Sequence, residues 1–327
     1  MIAVVSPYPS DSQRGNSVSA RRIAGHLAAM GHESRVWEMD EFVREGSPED
    51  ALVVLHARRS REAILAHDTR RKKGAPFVLV LPGSDLHLDI GLGGTAAAEV
   101  LDSMSRADHL VVAQQGSVAV VPERFRKKLH VIPKSVNLPL PPPDAKPPKD
   151  HFRALFLAHL RPVKEPQLLD PALALVPSTS RLRVHHYGVA EVEKLARWAR
   201  NFSRDNKRYQ WQGSVERGEI PRLLAECHLS LNLSSVEGGA NAVAESLVAG
   251  TPILLSAIPA NIGMVGEGYP GLFPAGDADA IARLFVEAEK QGTFADELRA
   301  ATKERATHFT AAAEQSGWGR LFPPTSR

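Results

Sequence analysis

Ser235-Val236-Glu237-Gly238-Gly239-Ala240-Asn241-Ala242-Val243-Ala244-Glu245-Ser246-Leu247-Val248-Ala249-Gly250-Thr251-Pro252 is the stretch from which the rest of the chain is read. Apolar runs at 228–233 and 253–256 flank it, so the order is buried strand, tight loop, helix, buried strand. Gly238 and Gly239 leave the loop backbone bare. The first amides of the helix can then face an anion with the helix dipole behind them, and phosphate is the guest this favours. Asn241 and Glu245 stand four apart on one helix face, with Glu237 and Ala240 in the loop before them. A carboxylate so placed accepts hydrogen bonds from sugar hydroxyls. Gly250 ends the helix, with Pro252 just beyond.

Outward from that segment, β-rich runs alternate with longer helical patterns, which predicts parallel sheets with helices on their faces. Strands are expected at 2–5, 34–37, 52–56, 77–81, 109–113 and 129–132, with a helix at 17–30 closed by Gly31. Between Pro139 and Lys149 six of eleven residues are proline, the composition of a stiff, extended linker. The alternation restarts with strands at 154–157, 182–187, 209–211, 229–233 and 253–256, and helices at 167–176, 191–202, 277–290, 294–308 and 314–322. The expected fold is α/β, with two Rossmann-like, doubly wound parallel-sheet domains. Their boundaries are expected at 1–138 and 151–310, joined by a linker at 139–150 and followed by a tail at 311–327.

Composition agrees. A chain of 327 residues, 43% hydrophobic, can bury two ordinary cores. Its 40 basic and 37 acidic residues leave a formal charge of only +3, which argues against a nucleic-acid binder. The single cysteine, Cys227, sits among apolar neighbours and reads as a core residue. The opening Met1-Ile2-Ala3-Val4-Val5-Ser6 reads as a strand rather than an export leader, and no run reaches the ~18 apolar residues of a bilayer span. A cytoplasmic protein with no membrane partner is expected. Arg70-Arg71-Lys72-Lys73 reads as a solvated basic face at a helix end. No His or Cys cluster has metal-ligand spacing, so neither a metal nor a cofactor is expected.

Ligands of doubly wound sheets bind at the carboxyl ends of the strands, and the residues there are consistently polar. After the first strand come Gly15 and Asn16, with Ser17 as a helix cap; after the third, His56, Arg58, Arg59 and Ser60; after the fourth, Gly83, Ser84 and Asp85; after the sixth, Lys134 and Ser135. In the second domain His159, Arg161 and Lys164 follow the first strand, Gly188 the next and Gly213 the one after. Arg161 and Lys164 share a domain with the glycine loop and can neutralise a diphosphate. Arg58 and Arg59 fit an anion site or a pair of local surface charges equally well, and Asp85 fits a binding role or a helix cap. His87, His109, His130, His185 and His186 read as solvent-facing or hydrogen-bonded within the fold.

The E-x7-E spacing of Glu237 and Glu245 around Gly238-Gly239 resembles the GT-B glycosyltransferases of retaining family 4. Val131-Ile132-Pro133-Lys134-Ser135-Val136-Asn137 is similar to the hinge of that family, and Arg161 and Lys164 to its donor-phosphate pair. The resemblance implies two domains facing across a cleft and a tail that crosses back to the first. It implies that Glu245 holds the nucleotide ribose, that Glu237 with the Gly238 and Gly239 amides holds the donor sugar, and that Ala240, Asn241 and Gly188 border the same pocket. Arg161 and Lys164 would stabilise the leaving diphosphate, and these two with Glu237 would be the catalytic set.

A further resemblance, to the selenosugar synthases of selenoneine biosynthesis, runs over nearly the whole chain. It is carried by Arg14-Gly15-Asn16, Leu55-His56-Ala57-Arg58-Arg59-Ser60, Gly83-Ser84-Asp85-Leu86, His159-Leu160-Arg161-Pro162-Val163-Lys164, Glu237-Gly238-Gly239-Ala240-Asn241 and Tyr269-Pro270-Gly271. The chain departs from that pattern at Pro82-Gly83-Ser84-Asp85, where Thr-Gly-Thr-Asp is expected, and at Pro133-Lys134, where tyrosine and glutamine are expected. The resemblance implies transfer of a hexosyl unit from a UDP-sugar, UDP-glucose or UDP-N-acetylglucosamine, to selenophosphate with formation of a carbon–selenium bond. Gly15, Asn16, His56, Arg58, Arg59, Ser60, Ser84, Asp85 and Lys134 would then form the acceptor side. A hydroxyl acceptor and a non-catalytic nucleotide-sugar sensor are the two other readings that the residues admit.

Overall fold

The apolar runs become parallel strands in a computed structural model that describes residues 1–12, 14–46 and 49–325. The chain divides into two compact units, Met1–Ser135 with Thr310–Arg327, and Val136–Phe309. The Pro-rich segment 139–150 thus lies in the second unit, and the helix Ala311–Gly319 lies with the first.

In the first unit β1 (Ile2–Ser6), β2 (Ser34–Glu38), β3 (Ala51–Leu55), β4 (Phe77–Val80), β5 (His109–Val112) and β6 (Leu129–Val131) form one sheet in the order β2-β1-β3-β4-β5-β6. Every residue of β1 and β3 is buried, as expected of strands covered on both faces. Alternate side chains serve two cores. Ala3, Val5, Leu52, Val54, Phe77 and Leu79 pack with Val100 and Met104 of the helix Gly94–Arg106. Ile2, Val4, Val53, Leu55 and Val78 pack with Ile23 and Leu27 of the helix Gly15–Ala29 and with Trp318 and Phe322.

The second unit repeats the scheme with β7 (Phe152–Leu157), β8 (Leu182–Tyr187), β9 (Tyr209–Trp211), β10 (Leu229–Asn232), β11 (Ile253–Ser256) and β12 (Leu272–Phe273), ordered β12-β11-β10-β7-β8-β9. The α/β class with two Rossmann-like units is therefore the one observed. β12 was not expected; two residues are too few to show a period.

Two local expectations are corrected. Ser17 is not a cap: the helix starts at Gly15, and Ser17 is buried with its Oγ 3.2 Å from that of Ser6. The basic run 70–73 is not simply solvated. Arg70 donates to the Phe42 and Val43 carbonyls at 3.2 and 3.1 Å, Arg71 pairs with Asp108, and Lys72 pairs with Asp50 at 2.8 Å.

The terminal helix is fixed by one buried carboxylate. Glu314 accepts from the Ser135 N–H at 2.5 Å and its hydroxyl at 2.7 Å, and from Arg22 Nε at 2.9 Å; His26 Nε2 lies 3.1 Å away. Burial raises its pKa, but the bonds from His26 and Ser135 and the Arg22 charge outweigh burial and hold it at about 2. A carboxylate depressed from 4.5 contributes stability that is complete above its unfolded pKa and lost as pH falls from there through about 2. Glu314→Gln is expected to lower unfolding stability at pH 7 by on the order of 3 kcal/mol and by much less at pH 2. Denaturant titrations at the two pH values check this, and equal losses at both would rule the carboxylate out as the source.

Candidate active site

In each unit the strand order reverses beside the first strand. In the second, β7 is followed by β8 and β9 on one side and by β10 to β12 on the other, which opens a crevice at the carboxyl ends of β7 and β10. The segments after those strands, 158–164 and 233–241, are the ones that carry Arg161, Lys164 and the glycine loop. The Ser235 N–H donates to the Val163 carbonyl at 3.0 Å and binds the two segments together.

Within this crevice Lys164 Nζ pairs with Glu237 Oε1. The same oxygen accepts from Ser234 Oγ at 2.8 Å and lies 3.4 Å from Asn232 Nδ2. Burial raises the Glu237 pKa, while the Lys164 charge and the three hydrogen bonds lower it and prevail, so the group is an anion at neutral pH. Behind it runs a buried polar chain: Asn261 Nδ2 donates to Asn232 Oδ1 at 3.1 Å and to the Ser256 carbonyl at 2.9 Å, and Ser256 Oγ donates to the Ser234 carbonyl at 2.5 Å. The helix Asn241–Ala249 begins directly after the glycine loop and ends at Gly250, whose φ of 74° suits glycine. Glu245 on that helix is 3% exposed and accepts from Arg217 Nη2 at 2.9 Å.

Arg161 is half-buried and 3.5 Å from Glu191. Gly188 has a packing role of its own, because a Cβ there would stand 1.8 Å from the Ala158 carbonyl oxygen.

In the first unit the reversal lies between β1 and β3. Tyr8 after β1 accepts from Arg59 Nη1 after β3, and the Arg14 guanidinium lies 4.5 Å from the Tyr8 ring centre. His56 adopts φ 76°, a conformation that a buried non-glycine residue holds only when its surroundings fix it. Its Nδ1 accepts from the Arg59 N–H at 3.2 Å, which puts the ring proton on Nε2, 2.9 Å from Ser84 Oγ. Burial lowers the His56 pKa against the raising effect of Asp85, so the ring is neutral at pH 7. The Ser84 hydroxyl accepts from the ring and keeps its own proton for another acceptor. This polarity is the reverse of a serine–histidine nucleophile pair.

Asp85 is fully buried and accepts from the Ala57, Gly83 and Leu86 amides, each at 3.1 Å. Ser60 is also buried and donates to the Leu55 carbonyl at 2.7 Å. Both therefore build the loop rather than face outward. Arg58 pairs with Asp89 and Glu99, each at 3.1 Å. Gly15 is exposed, Asn16 half-buried and Lys134 buried.

The structure thus brings Lys164, Glu237, Gly238 and Gly239 together around one crevice, and His56, Arg59 and Ser84 around another. Sequence reasoning missed Asn232, Ser234, Asn261 and Arg217. Asn232 carried a sign, as a polar residue in an apolar strand; Arg217 carried none. Among the described residues, no group of three or more His, Cys, Asp or Glu is placed to hold a metal, and no helix is long and apolar enough to cross a membrane. Asp277 of the Asp277-Ala278-Asp279 pair caps its helix, accepting from the Ala280 N–H at 2.8 Å.

Solved structures with this fold cover nearly all of the chain. A sucrose-phosphate synthase from Thermosynechococcus elongatus superposes with a TM-score of 0.83 at 16% identity, covering 98% of both chains. HepE from Anabaena, solved in complex with UDP-glucose, superposes with a TM-score of 0.76 at 16% identity, again covering 98% of both. A glycosyltransferase from Rickettsia africae gives 0.71 at 12%, covering 98% of this chain and 97% of its own. No curated protein matches the chain significantly in sequence. The family model for glycosyl transferases group 1 matches residues 142–309, just over half of the chain and nearly all of the unit that carries the glycine loop, Lys164 and Glu237. By that match the chain belongs to the glycosyl transferases group 1 family.

Proposed function

We propose that this glycosyltransferase takes a hexosyl unit from a UDP-sugar held by the Val136–Phe309 unit and transfers it to selenophosphate bound by residues of the first unit. The observation that carries the donor half is the Lys164–Glu237 pair beside the glycine loop. It offers a cation for the diphosphate and a carboxylate for the sugar within one hydrogen-bonded cluster. Glu245 takes the ribose hydroxyls, with Arg217 as the group they would displace or share. In the transfer the bond from C1 to the diphosphate oxygen breaks and its electron pair leaves with UDP. The bond from C1 to selenium forms. Arg161, Lys164 and the helix amides stabilise the charge that develops on the diphosphate.

The acceptor half rests on the selenosugar-synthase resemblance of 55–60 and 159–164. Selenium in selenophosphate is already anionic and soft, so it needs placing rather than deprotonation. A neutral His56, a Ser84 hydroxyl with its proton free and the Arg59 guanidinium suit that task. One observation favours a hydroxyl acceptor instead: the Arg58 charge is already matched by Asp89 and Glu99.

Mass spectrometry decides between the two acceptors. Incubation with UDP-glucose or UDP-N-acetylglucosamine is expected to release UDP and yield a selenium-bearing sugar only when selenophosphate is present; release that requires a hydroxyl acceptor would select the second reading. Arg59→Ala is expected to raise the selenophosphate KM by about tenfold or more while changing the UDP-sugar KM less than about twofold. Equal changes in both constants would remove Arg59 from the acceptor side. Glu245→Gln is expected to weaken UDP binding by about tenfold, read by calorimetry, with little change in binding of inorganic diphosphate; a parallel loss of both would deny it the ribose role.

A further inference from the structure

A second concentration of charge lies in the Val136–Phe309 unit, at the opposite ends of the strands from the glycine loop. His151 stands just ahead of β7 and Arg153 is its second residue. Arg183 and His185 lie in the first four residues of β8, and Lys207 and Arg208 lead into β9. These six line a cavity of about 200 Å³ with no carboxylate in its wall. A six-residue strand separates it from the glycine loop by roughly 20 Å.

Register forces the crowding. Arg153 and Arg183 are direct partners across β7 and β8, and like charges side by side on one sheet face are destabilising. Further along that face Leu155, Leu157 and Tyr187 are covered by Leu224 and Cys227, while the arginine end is left to the cavity.

The available counter-charges are few. Glu226 takes Arg153 Nη1 at 3.2 Å, and Asp150 lies 3.0 Å from His151 Nδ1. Arg208 donates to backbone carbonyls, among them that of Val176 at 2.8 Å. The side chains of Arg183 and Lys207 make no hydrogen bond or close ion pair among the described residues, although the Arg183 charge helps to lower the pKa of Asp150. His151 is only 8% exposed, and its Nε2 and the Arg153 Nε are buried without a hydrogen-bond partner. The local field is positive from several sides. His185 is pushed down to about 4 by burial and then by Arg153, His151 and Arg183, and His228 is lowered by burial and then by His151, Arg153 and Arg181.

We propose that this cavity is a second ligand site, taking a small anion of two or more charges that carries a phosphate group, bound between Arg183, Lys207 and Arg153. Guanidinium groups on neighbouring strands present forked donors that match phosphate oxygens, and Lys207 adds a point charge. The volume suits a phosphate, a diphosphate or the phosphoryl end of a small metabolite. It is below the range of pockets that enclose a whole drug-sized molecule. The site is independent of the donor reading, because it shares no side chain with the glycine-loop crevice.

Calorimetric titration of inorganic diphosphate, and separately of a hexose monophosphate, into the full chain at low salt with the donor site kept saturated by UDP tests this. Wild type is expected to bind at least one of them saturably. The double variant Arg183→Gln/Lys207→Gln is expected to bind at least about tenfold more weakly, and Arg183→Lys to keep most of the affinity. Tighter binding of the hexose monophosphate would identify a phosphorylated metabolite as the ligand class, and tighter binding of diphosphate the free inorganic anion. Relief of repulsion should leave the melting temperature of the unliganded double variant unchanged or raised, and its UDP affinity should match wild type. No saturable binding by wild type, or equal binding by wild type and the double variant, overturns the proposal.

Discussion

The half-buried ion pair of Lys164 and Glu237 ties together the two segments that carry the candidate donor site. It joins a short turn after β7 to a loop after β10, two segments 73 residues apart in sequence. Removing two charges from water is costly, and attraction alone seldom offsets it. Here Ser234 and Asn232 fill further lone-pair positions on the carboxylate, and Asn261 and Ser256 hold those donors in turn. An anion that drew Lys164 away would leave the half-buried Glu237 without its cation, and the proposed donor, which bears a diphosphate and a hydroxyl-rich ring, offers a partner to each. Glu245 and Arg217 follow the same logic at the next turn of the helix.

The first unit solves a different problem with neutral groups. His56 is held at positive φ, deprived of charge by burial and bonded at both ring nitrogens. Asp85, beneath it, is committed to three backbone amides. Neither is arranged to take a proton from a substrate. The geometry instead presents a hydroxyl and a guanidinium at fixed positions, which suits a nucleophile that arrives already ionised.

The fold was legible because most of its strands are runs of four to six residues rich in apolar side chains, separated by helical patterns. The two-residue β12 left no such trace. Glu237, Glu245, Arg161 and Lys164 could be singled out as candidates because glycines and strand ends marked their neighbourhood. The partners of each could not. Arg217 reaches Glu245 across 28 residues, and Glu314 reaches Ser135 across 179. Spacing in sequence says nothing about such pairs until the strand order is known. Ser60 and Gly188 stand at strand ends where a ligand is expected, and each also meets a local demand, a free carbonyl at Leu55 and the close approach of the Ala158 carbonyl.

The same strand order explains why one unit can carry anion-binding chemistry at both ends. At the carboxyl ends of β7 and β10 backbone amides and a helix start supply positive potential, so few side-chain cations are needed and carboxylates can be included for sugar hydroxyls. At the amino ends of β7, β8 and β9 the positive charge comes from side chains. Arg153, Arg183 and Lys207 supply it in a cavity wall that holds no carboxylate, with Glu226 pairing Arg153 from outside that wall. The in-register arginines repel one another across β7 and β8, and an anion bound between them would offset that repulsion.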